Sequence, residues 1–255
     1  EIVMAEPSFS EYDFASRIMD AKVVKVPLKD YTHDLKAMAG AVTPRTKIIF
    51  VCNPNNPTGT IVVREEVDAW LKALPENILV VFDEAYYEYV DNDRYPRSLE
   101  YVRQGKNVVV LRTFSKIYGL AGLRVGYGIA NREIVAALNR VRQPFNVNSL
   151  AQKAALAALD DREFLANSRE VVNEGKKYLY RALEEMGLFY VPSEANFIFI
   201  DTGLDCGEVF PRLLQKGVIV RTGDIFNHPT FIRLTVGTMR DNERFIAALK
   251  EVLGG

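Results

Sequence analysis

The chain has 255 residues, of which 48% are hydrophobic and 25% charged, and its 32 basic and 33 acidic residues give a net charge of −1. This is the composition of an ordinary globular protein with a sizeable core, and the length allows one large domain or two unequal ones. The near-zero charge argues against a protein that binds the phosphates of a nucleic acid. Two cysteines and two histidines exclude a disulfide framework and a histidine-rich metal site, and no apolar run is long enough to cross a bilayer.

The first half of the chain alternates short apolar runs with helical patterns. Val and Ile dominate the runs, which predict strands over residues 22–27, 47–51, 78–82, 108–111 and 123–130. Helical periodicity lies between them, over residues 10–20, 64–73 and 99–104. The strands are apolar almost throughout, which is typical of strands covered on both faces. We therefore predict an α/β region with a mostly parallel sheet between helices.

The second half of the chain has a different pattern. Residues 148–159 and 162–186 have helical periodicity with few breakers. After them the pattern predicts strands over residues 196–201, 218–221 and 231–236, and helices over residues 207–216 and 241–253. This pattern indicates a smaller α+β domain. We predict a first domain over residues 1–160 and a second over residues 161–255.

Polar residues follow three of the predicted strands. A turn rich in Asn, Pro and Gly occupies residues 53–59, Asp83 follows the third strand, and Lys116 follows the fourth. In an open parallel sheet, ligands bind outside the carboxyl ends of the strands. Each feature alone has an ordinary explanation, as a turn, a helix cap or a solvated lysine. Their convergence on one rim of the sheet predicts a functional site.

The combination matches the requirements of one cofactor. Pyridoxal phosphate needs a lysine that forms an imine with it, a carboxylate that keeps its ring nitrogen protonated, and a clamp for its phosphate. Lys116 and Asp83 provide the first two groups. Thr113, Ser115 and Arg124 provide the clamp, because hydroxyl groups and a planar guanidinium bind phosphate oxygens well.

Residues 112–127 have the sequence Arg-Thr-Phe-Ser-Lys-Ile-Tyr-Gly-Leu-Ala-Gly-Leu-Arg-Val-Gly-Tyr. This run resembles the cofactor-lysine signature of the fold-type I, pyridoxal-phosphate-dependent aminotransferases. Together with residues 53–59 and 83–86, it is most similar to the histidinol-phosphate aminotransferases within that family. Further matches lie at residues 142–148, 192–197 and 231–238. The resemblance implies a three-layer, mostly parallel large domain followed by a smaller α+β domain.

The resemblance implies a role for each residue on the rim. Lys116 would bind the cofactor and then act as the general base that moves the substrate proton. Asp83 would pair with the ring nitrogen. Tyr86 and Asn56 would hydrogen-bond the phenolic oxygen of the cofactor, and Asn56 would also lie beside the substrate.

Three further residues receive roles from the resemblance. Phe9 would stack on the cofactor ring, although an ordinary core phenylalanine is the alternative. Tyr12, three residues later, would lie near Asp83. Arg233 lies in an alternating strand and would bind the anionic groups of the substrates, its alternative being a surface cation.

The implied reaction converts histidinol phosphate and 2-oxoglutarate into imidazole acetol phosphate and glutamate, as a step of histidine biosynthesis. The resemblance implies a cytoplasmic homodimer whose partners are an amino donor and a 2-oxo acid, with no nucleic acid or membrane. Three alternatives stay open: an aromatic amino-acid aminotransferase, a relative of threonine-phosphate decarboxylases, and a non-catalytic remnant. Members of the family begin with an arm and a first part of the large domain. The chain opens on Glu1-Ile2-Val3-Met4, so we expect that region to be missing from it.

Overall fold

A six-stranded sheet forms the first part of the structure, a computed structural model that describes residues 1–254. Its strands are β1 (Ile2–Glu6), β2 (Val23–Pro27), β3 (Ile48–Cys52), β4 (Leu79–Asp83), β5 (Val108–Thr113) and β6 (Gly126–Ala130). They are ordered β2-β1-β3-β4-β5-β6 across the sheet. The first five strands are parallel, and β6 pairs antiparallel with β5.

Seven helices accompany and follow this sheet. They are α1 (Glu11–Ile18), α2 (Leu35–Gly40), α3 (Arg64–Ala73), α4 (Ser98–Arg103), α5 (Arg132–Val141), α6 (Ser149–Asp160) and α7 (Arg162–Glu185). The remaining elements are β7 (Tyr190–Val191), β8 (Phe197–Asp201), α8 (Cys206–Gln215), β9 (Arg221–Thr222), β10 (Phe231–Thr235) and α9 (Met239–Gly254). The four short strands form an antiparallel sheet in the order β7-β8-β10-β9. None of the helices within the described residues is both long and apolar enough to span a membrane.

The six-stranded sheet is covered on both faces. Successive side chains of a strand point to opposite faces, so Val3 and Ile49 pack on one side, against Trp70 of α3. Met4 and Cys52 pack on the other side. This explains the continuous apolar runs in the sequence and confirms the predicted α/β fold, with its smaller α+β part.

The second core reaches beyond the four-stranded sheet. Its centre is formed by fully buried side chains of α7 and β8, such as Leu179 and Ile198. Tyr86, Tyr89 and Ile117, which follow β4 and β5, belong to the same cluster. The segments that follow β4 and β5 therefore pack against the core of the second sheet.

A buried ion pair joins the ends of β4 and β5. Arg112 donates to one carboxylate oxygen of Glu84 through both Nε and Nη2, at 2.9 and 2.7 Å. Its guanidinium lies 3.7 Å from the centre of the Tyr87 ring. Glu84 follows Asp83 directly, and Arg112 directly precedes Thr113. Two predicted site residues thus lie next to a fixed contact between strands.

Some elements differ from the sequence-based predictions. Helices α2 and α5 were not predicted, and no residue of α5 is buried. The predicted strand over 218–221 was wrong, since only Arg221–Thr222 pair with β10. The strand predicted from residue 123 begins at Gly126, because Arg124 has a φ of 54° and interrupts the extended backbone. Asp161 alone separates α6 from α7, and the domain division at this residue stays a prediction.

We predict that Gly175→Ala destabilises the protein. A Cβ atom at this position of α7 would lie 2.5 Å from Cγ1 of Val236 and 2.7 Å from Nδ2 of Asn242. Overpacking of this kind costs about 1–3 kcal/mol, which exceeds the gain in helix propensity of about 1 kcal/mol. Urea unfolding measures the change. Gly40→Ala in α2 is the matched control, because nothing lies within 4 Å of its Cβ position, and equal effects of the two substitutions would contradict the prediction.

Candidate active site

The carboxyl ends of β3, β4 and β5 meet at one edge of the sheet, as parallel pairing requires. Asn56 lies in the turn after β3, Asp83 ends β4, and Lys116 follows β5. The ammonium group of Lys116 is close enough to Asp83, Arg124 and Arg233 for each of these charges to shift its pKa. The structure therefore brings together the groups that the sequence assigned to one site.

Lys116 is exposed at this rim, and its Nζ lies 5.1 Å from the centre of the Tyr86 ring. Partial desolvation of the ammonium group lowers the pKa of Lys116, and the guanidinium of Arg233 lowers it further. The negative charge of Asp83 opposes this shift. A lysine with a lowered pKa is more often neutral near pH 7, as a nucleophile or general base must be.

Asp83 is held by two donors. The hydroxyl of Tyr12 donates to its Oδ2 at 2.6 Å, and the backbone N–H of Ala85 donates to its Oδ1 at 3.1 Å. Burial raises the pKa of Asp83, whereas the hydrogen bond from Tyr12 lowers it. Tyr12 lies where the sequence predicted it, and its ring stacks on Phe50 at 4.6 Å between centres.

The two predicted aromatic residues of the site, Phe9 and Tyr86, differ in exposure. The Phe9 ring is 37% exposed and meets the edge of Tyr12 at 5.5 Å, so it is not an ordinary core phenylalanine. Tyr86 is buried edge-on against Phe197 at 5.0 Å. Burial raises the pKa of Tyr86 and keeps its hydroxyl protonated. Phe9 thus lies beside Tyr12, the hydrogen-bond partner of Asp83, and the Tyr86 phenol is close enough to Asp83 for the carboxylate charge to raise its pKa.

Thr113, Ser115 and Arg124 are linked by hydrogen bonds. The backbone N–H of Ser115 donates to Oγ1 of Thr113 at 3.0 Å, and Nη1 of Arg124 donates to Oγ of Ser115 at 3.3 Å. The same Nη1 of Arg124 also donates to the carbonyl of Ala121 at 2.7 Å, which fixes the position of the guanidinium. Two hydroxyl groups and a guanidinium form a donor set that suits a phosphate group.

Arg233 reaches this edge from the second sheet. Its Nη1 donates to the side-chain oxygen of Asn56, and its guanidinium lies 4.9 Å from the centre of the Phe197 ring. Nε of Arg233 is buried and has no partner among the described residues. Burial lowers the pKa of Arg233. The residue is therefore a largely desolvated cation rather than a surface charge.

Arg221 is a candidate site residue that the sequence reasoning missed. It lies directly opposite Arg233 in the antiparallel pair of β9 and β10, so both side chains are on the same face of the sheet. The positive charge of Arg221 contributes to the lowered pKa of Arg233. Only the pairing of β9 with β10 brings the two together, and nothing in the sequence states this pairing.

The donor set fits pyridoxal phosphate. An amine, a buried carboxylate, a phenol, an exposed aromatic face and an anion clamp follow the strand ends at this edge, and each matches one group of the cofactor. No group of three or more metal-binding side chains occurs within residues 1–254. The amine, carboxylate, phenol and guanidinium groups are what fits an organic cofactor at this edge.

Comparisons with known proteins agree with this geometry. The profile of the aminotransferase class I and II family matches residues 1–249. The histidinol-phosphate aminotransferase of Moorella thermoacetica is 62% identical over 254 residues, which are 99% of this chain and 66% of that protein. The enzyme of the same name from Caldicellulosiruptor saccharolyticus is 50% identical over 251 residues, covering 98% of this chain and 70% of that protein.

A solved structure has the same fold. The crystal structure of histidinol-phosphate aminotransferase from Sinorhizobium meliloti in complex with pyridoxal-5'-phosphate superposes with a TM-score of 0.92 at 29% identity. The match covers 99% of this chain and 70% of that one. The chain thus spans about two thirds of the length of the relatives it matches.

We predict that Tyr12→Phe destabilises the protein more at neutral than at acidic pH. The lost hydrogen bond favours ionised Asp83, so the substitution raises the folded pKa of this carboxyl further above 3.8. A carboxyl whose folded pKa is raised loses stability as the pH rises through that pKa. The destabilisation should therefore be small below about pH 3.8 and reach about 1.5–3 kcal/mol at neutral pH.

Urea unfolding at several pH values measures this difference. Tyr178→Phe is the control, because the hydroxyl of Tyr178 makes no side-chain hydrogen bond among the described residues. An equal loss of stability at acidic and neutral pH would show that Tyr12 does not act on the ionised carboxylate.

Proposed function

The chain belongs to the aminotransferase class I and II family, and we propose that it is a pyridoxal-phosphate-dependent transaminase for histidinol phosphate and 2-oxoglutarate. The observation that carries this proposal is the meeting of Lys116, Asp83 and Arg233 at one edge of the sheet. The names of the related proteins support the choice of substrates. The proposed products are imidazole acetol phosphate and glutamate.

The residues that would hold the cofactor follow from their chemistry. Lys116 would bind its aldehyde carbon covalently, and Asp83 would accept a hydrogen bond from its protonated ring nitrogen. Thr113, Ser115 and Arg124 would bind its phosphate. When bound, pyridoxal phosphate supplies an electron sink for the electrons that a departing α proton leaves behind.

The surroundings of three side chains shift their pKa values, and these shifts bear on the proton transfers of the reaction. Lys116 Nζ would take the α proton of the amino donor, and its lowered pKa increases the fraction of the neutral amine. Burial raises the pKa of Asp83, and the hydrogen bonds from Tyr12 and Ala85 offset this only in part; a protonated ring nitrogen beside the carboxyl would favour its charged form. Tyr86 keeps its proton and can donate it in a hydrogen bond to an oxygen anion.

The anionic parts of the substrates would bind between the two sheets. Histidinol phosphate brings a phosphate group and 2-oxoglutarate brings two carboxylates, and one guanidinium can bind either kind of anion through two parallel hydrogen bonds. Arg233 would serve both substrates, oriented by its hydrogen bond to Asn56. Arg221 adds a second positive charge beside it, which favours a doubly charged phosphate.

Steady-state kinetics of the cofactor-loaded protein test this function. We predict that kcat/KM for histidinol phosphate exceeds that for phenylalanine by at least about tenfold, because only the former carries a dianion for Arg233 and Arg221. Preference for phenylalanine would indicate an aromatic amino-acid aminotransferase. Release of carbon dioxide from threonine phosphate would indicate a decarboxylase.

Lys116→Ala is the matched variant for this experiment. It should abolish both turnover and the visible absorption band of the protein-bound cofactor, whereas substitution of the exposed Lys72 of α3, Lys72→Ala, should change neither. A wild-type chain that binds no cofactor would favour a non-catalytic remnant.

We further propose that the protein acts as a cytoplasmic homodimer. Large apolar side chains are exposed on α5, on α6 and between them, including Val141 at 78%, Phe145 at 99% and Leu150 at 76%. Exposed apolar patches of this kind often mark protein–protein interfaces. The two cysteines are free, as is usual in reducing compartments. Sedimentation should give twice the mass of the chain, and a monomer at micromolar concentration would contradict the dimer.

A further inference from the structure

The turn that carries Asn56 lies directly against the segment that leads into β8. The N–H of Glu194 donates to the carbonyl of Gly59 at 2.8 Å. Gly59 has a φ of 75°, and a Cβ atom on it would lie 2.0 Å from Oγ of Ser193. Only a glycine allows this close approach, so the two segments are in tight backbone contact.

Lys176 holds this segment from the other side. The residue lies in α7 and is 8% exposed, and its Nζ donates to the carbonyl of Ser193 at 3.0 Å. Among the described residues this is the one hydrogen bond of its ammonium group. Burial lowers the pKa of Lys176, while the nearby carboxylates of Glu194 and Asp91 oppose the shift. A buried ammonium with a neutral partner is costly, and a methionine would fill much the same space without that cost.

The segment is also attached to the chain beyond β4. Oε2 of Glu194 accepts a hydrogen bond from the backbone N–H of Asp91 at 3.0 Å. Arg169, also in α7, donates to the carbonyl of Val90 at 3.2 Å and pairs with the carboxylate of Asp91 at 3.3 Å. The contact therefore links α7 to the segments that follow β3 and β4.

This contact sets the position of Arg233 relative to Asn56. Strand β8 begins three residues after Glu194 and pairs with β10, with Phe199 opposite Arg233. A shift of the segment at Ser193 would move the second sheet, and with it Arg233, away from the Asn56 side chain that it contacts.

We propose that Lys176 is a positioning residue for substrate binding, which fixes the second sheet on the turn at residues 53–59 through the carbonyl of Ser193. Its effect on substrates rests on the proposed function. Lys176 donates no hydrogen bond to the proposed cofactor residues or to Arg233 among the described residues, so it acts through the peptide of Ser193 and Glu194, whose N–H binds Gly59. In this proposal the buried ammonium group positions the anion site and does not stabilise the fold.

Lys176→Met in the cofactor-loaded protein tests this role. The KM values for histidinol phosphate and 2-oxoglutarate should rise about tenfold, as for a lost or misplaced hydrogen bond to a charged group. The kcat and the cofactor dissociation constant should stay within about twofold, and the melting temperature should be unchanged or higher. Lys176→Arg should keep both KM values near those of the wild type, because it keeps a cationic donor at this position. Lys177→Met is the control, since Lys177 is exposed and pairs with Glu174 at 2.8 Å.

Amide hydrogen exchange provides a measurement that is independent of activity. Exchange of the Glu194 N–H should accelerate about tenfold in Lys176→Met and stay unchanged in Lys177→Met. Unchanged exchange, or faster exchange with unchanged KM, would overturn the proposal, as would a kcat that falls together with the melting temperature. Lys176→Gln, which shortens the side chain, tests the same contact if the methionine variant does not fold. A wild-type chain without transaminase activity would refute the proposed function, and the exchange rate alone would then decide whether Lys176 holds the segment.

Discussion

Parallel pairing of β3, β4 and β5 is the constraint on which the rest of the site depends. Parallel strands point their carboxyl ends to one edge, and each must return to the other edge through a helix. Asn56, Asp83 and Lys116 therefore meet although 60 residues of sequence separate the first from the last. The ion pair of Glu84 with Arg112 fixes the end of β4 relative to β5. The electrostatic interaction between Asp83 and Lys116 therefore follows from the topology of the sheet.

The second sheet completes the site by adding charge from a separate direction. In the proposed function, the first sheet would provide the groups for the cofactor, and the second would provide Arg233 and Arg221 for the anions of the substrates. The hydrogen bond from Arg233 to Asn56 crosses between the sheets. In that function, substrate binding would depend on how the two sheets are packed, whereas cofactor binding would depend mainly on the strand ends of the first sheet.

The parallel sheet and the residues at its strand ends could be predicted from the sequence, because both follow from the order of the strands along the chain. Continuous apolar runs indicated a covered parallel sheet, and the residues after each run then indicated Asp83 and Lys116. Arg221 and Lys176 could not be found in this way, because their roles arise from antiparallel pairing and from packing between distant segments. Helix α5 has no buried residue to fix its pattern, and the left-handed conformation of Arg124 shortened β6 in a way that no local residue preference signals.

Tyr86, Tyr89 and Ile117 pack within the core of the second sheet, and this has a thermodynamic consequence. The two sheets share side chains, so neither can open without exposing apolar surface of the other, and they should unfold as one cooperative unit. A ligand that binds only the native strand ends stabilises everything that unfolds with them. Occupancy of the cofactor site is thereby linked to the persistence of helices such as α8 and α9, which lie outside the site.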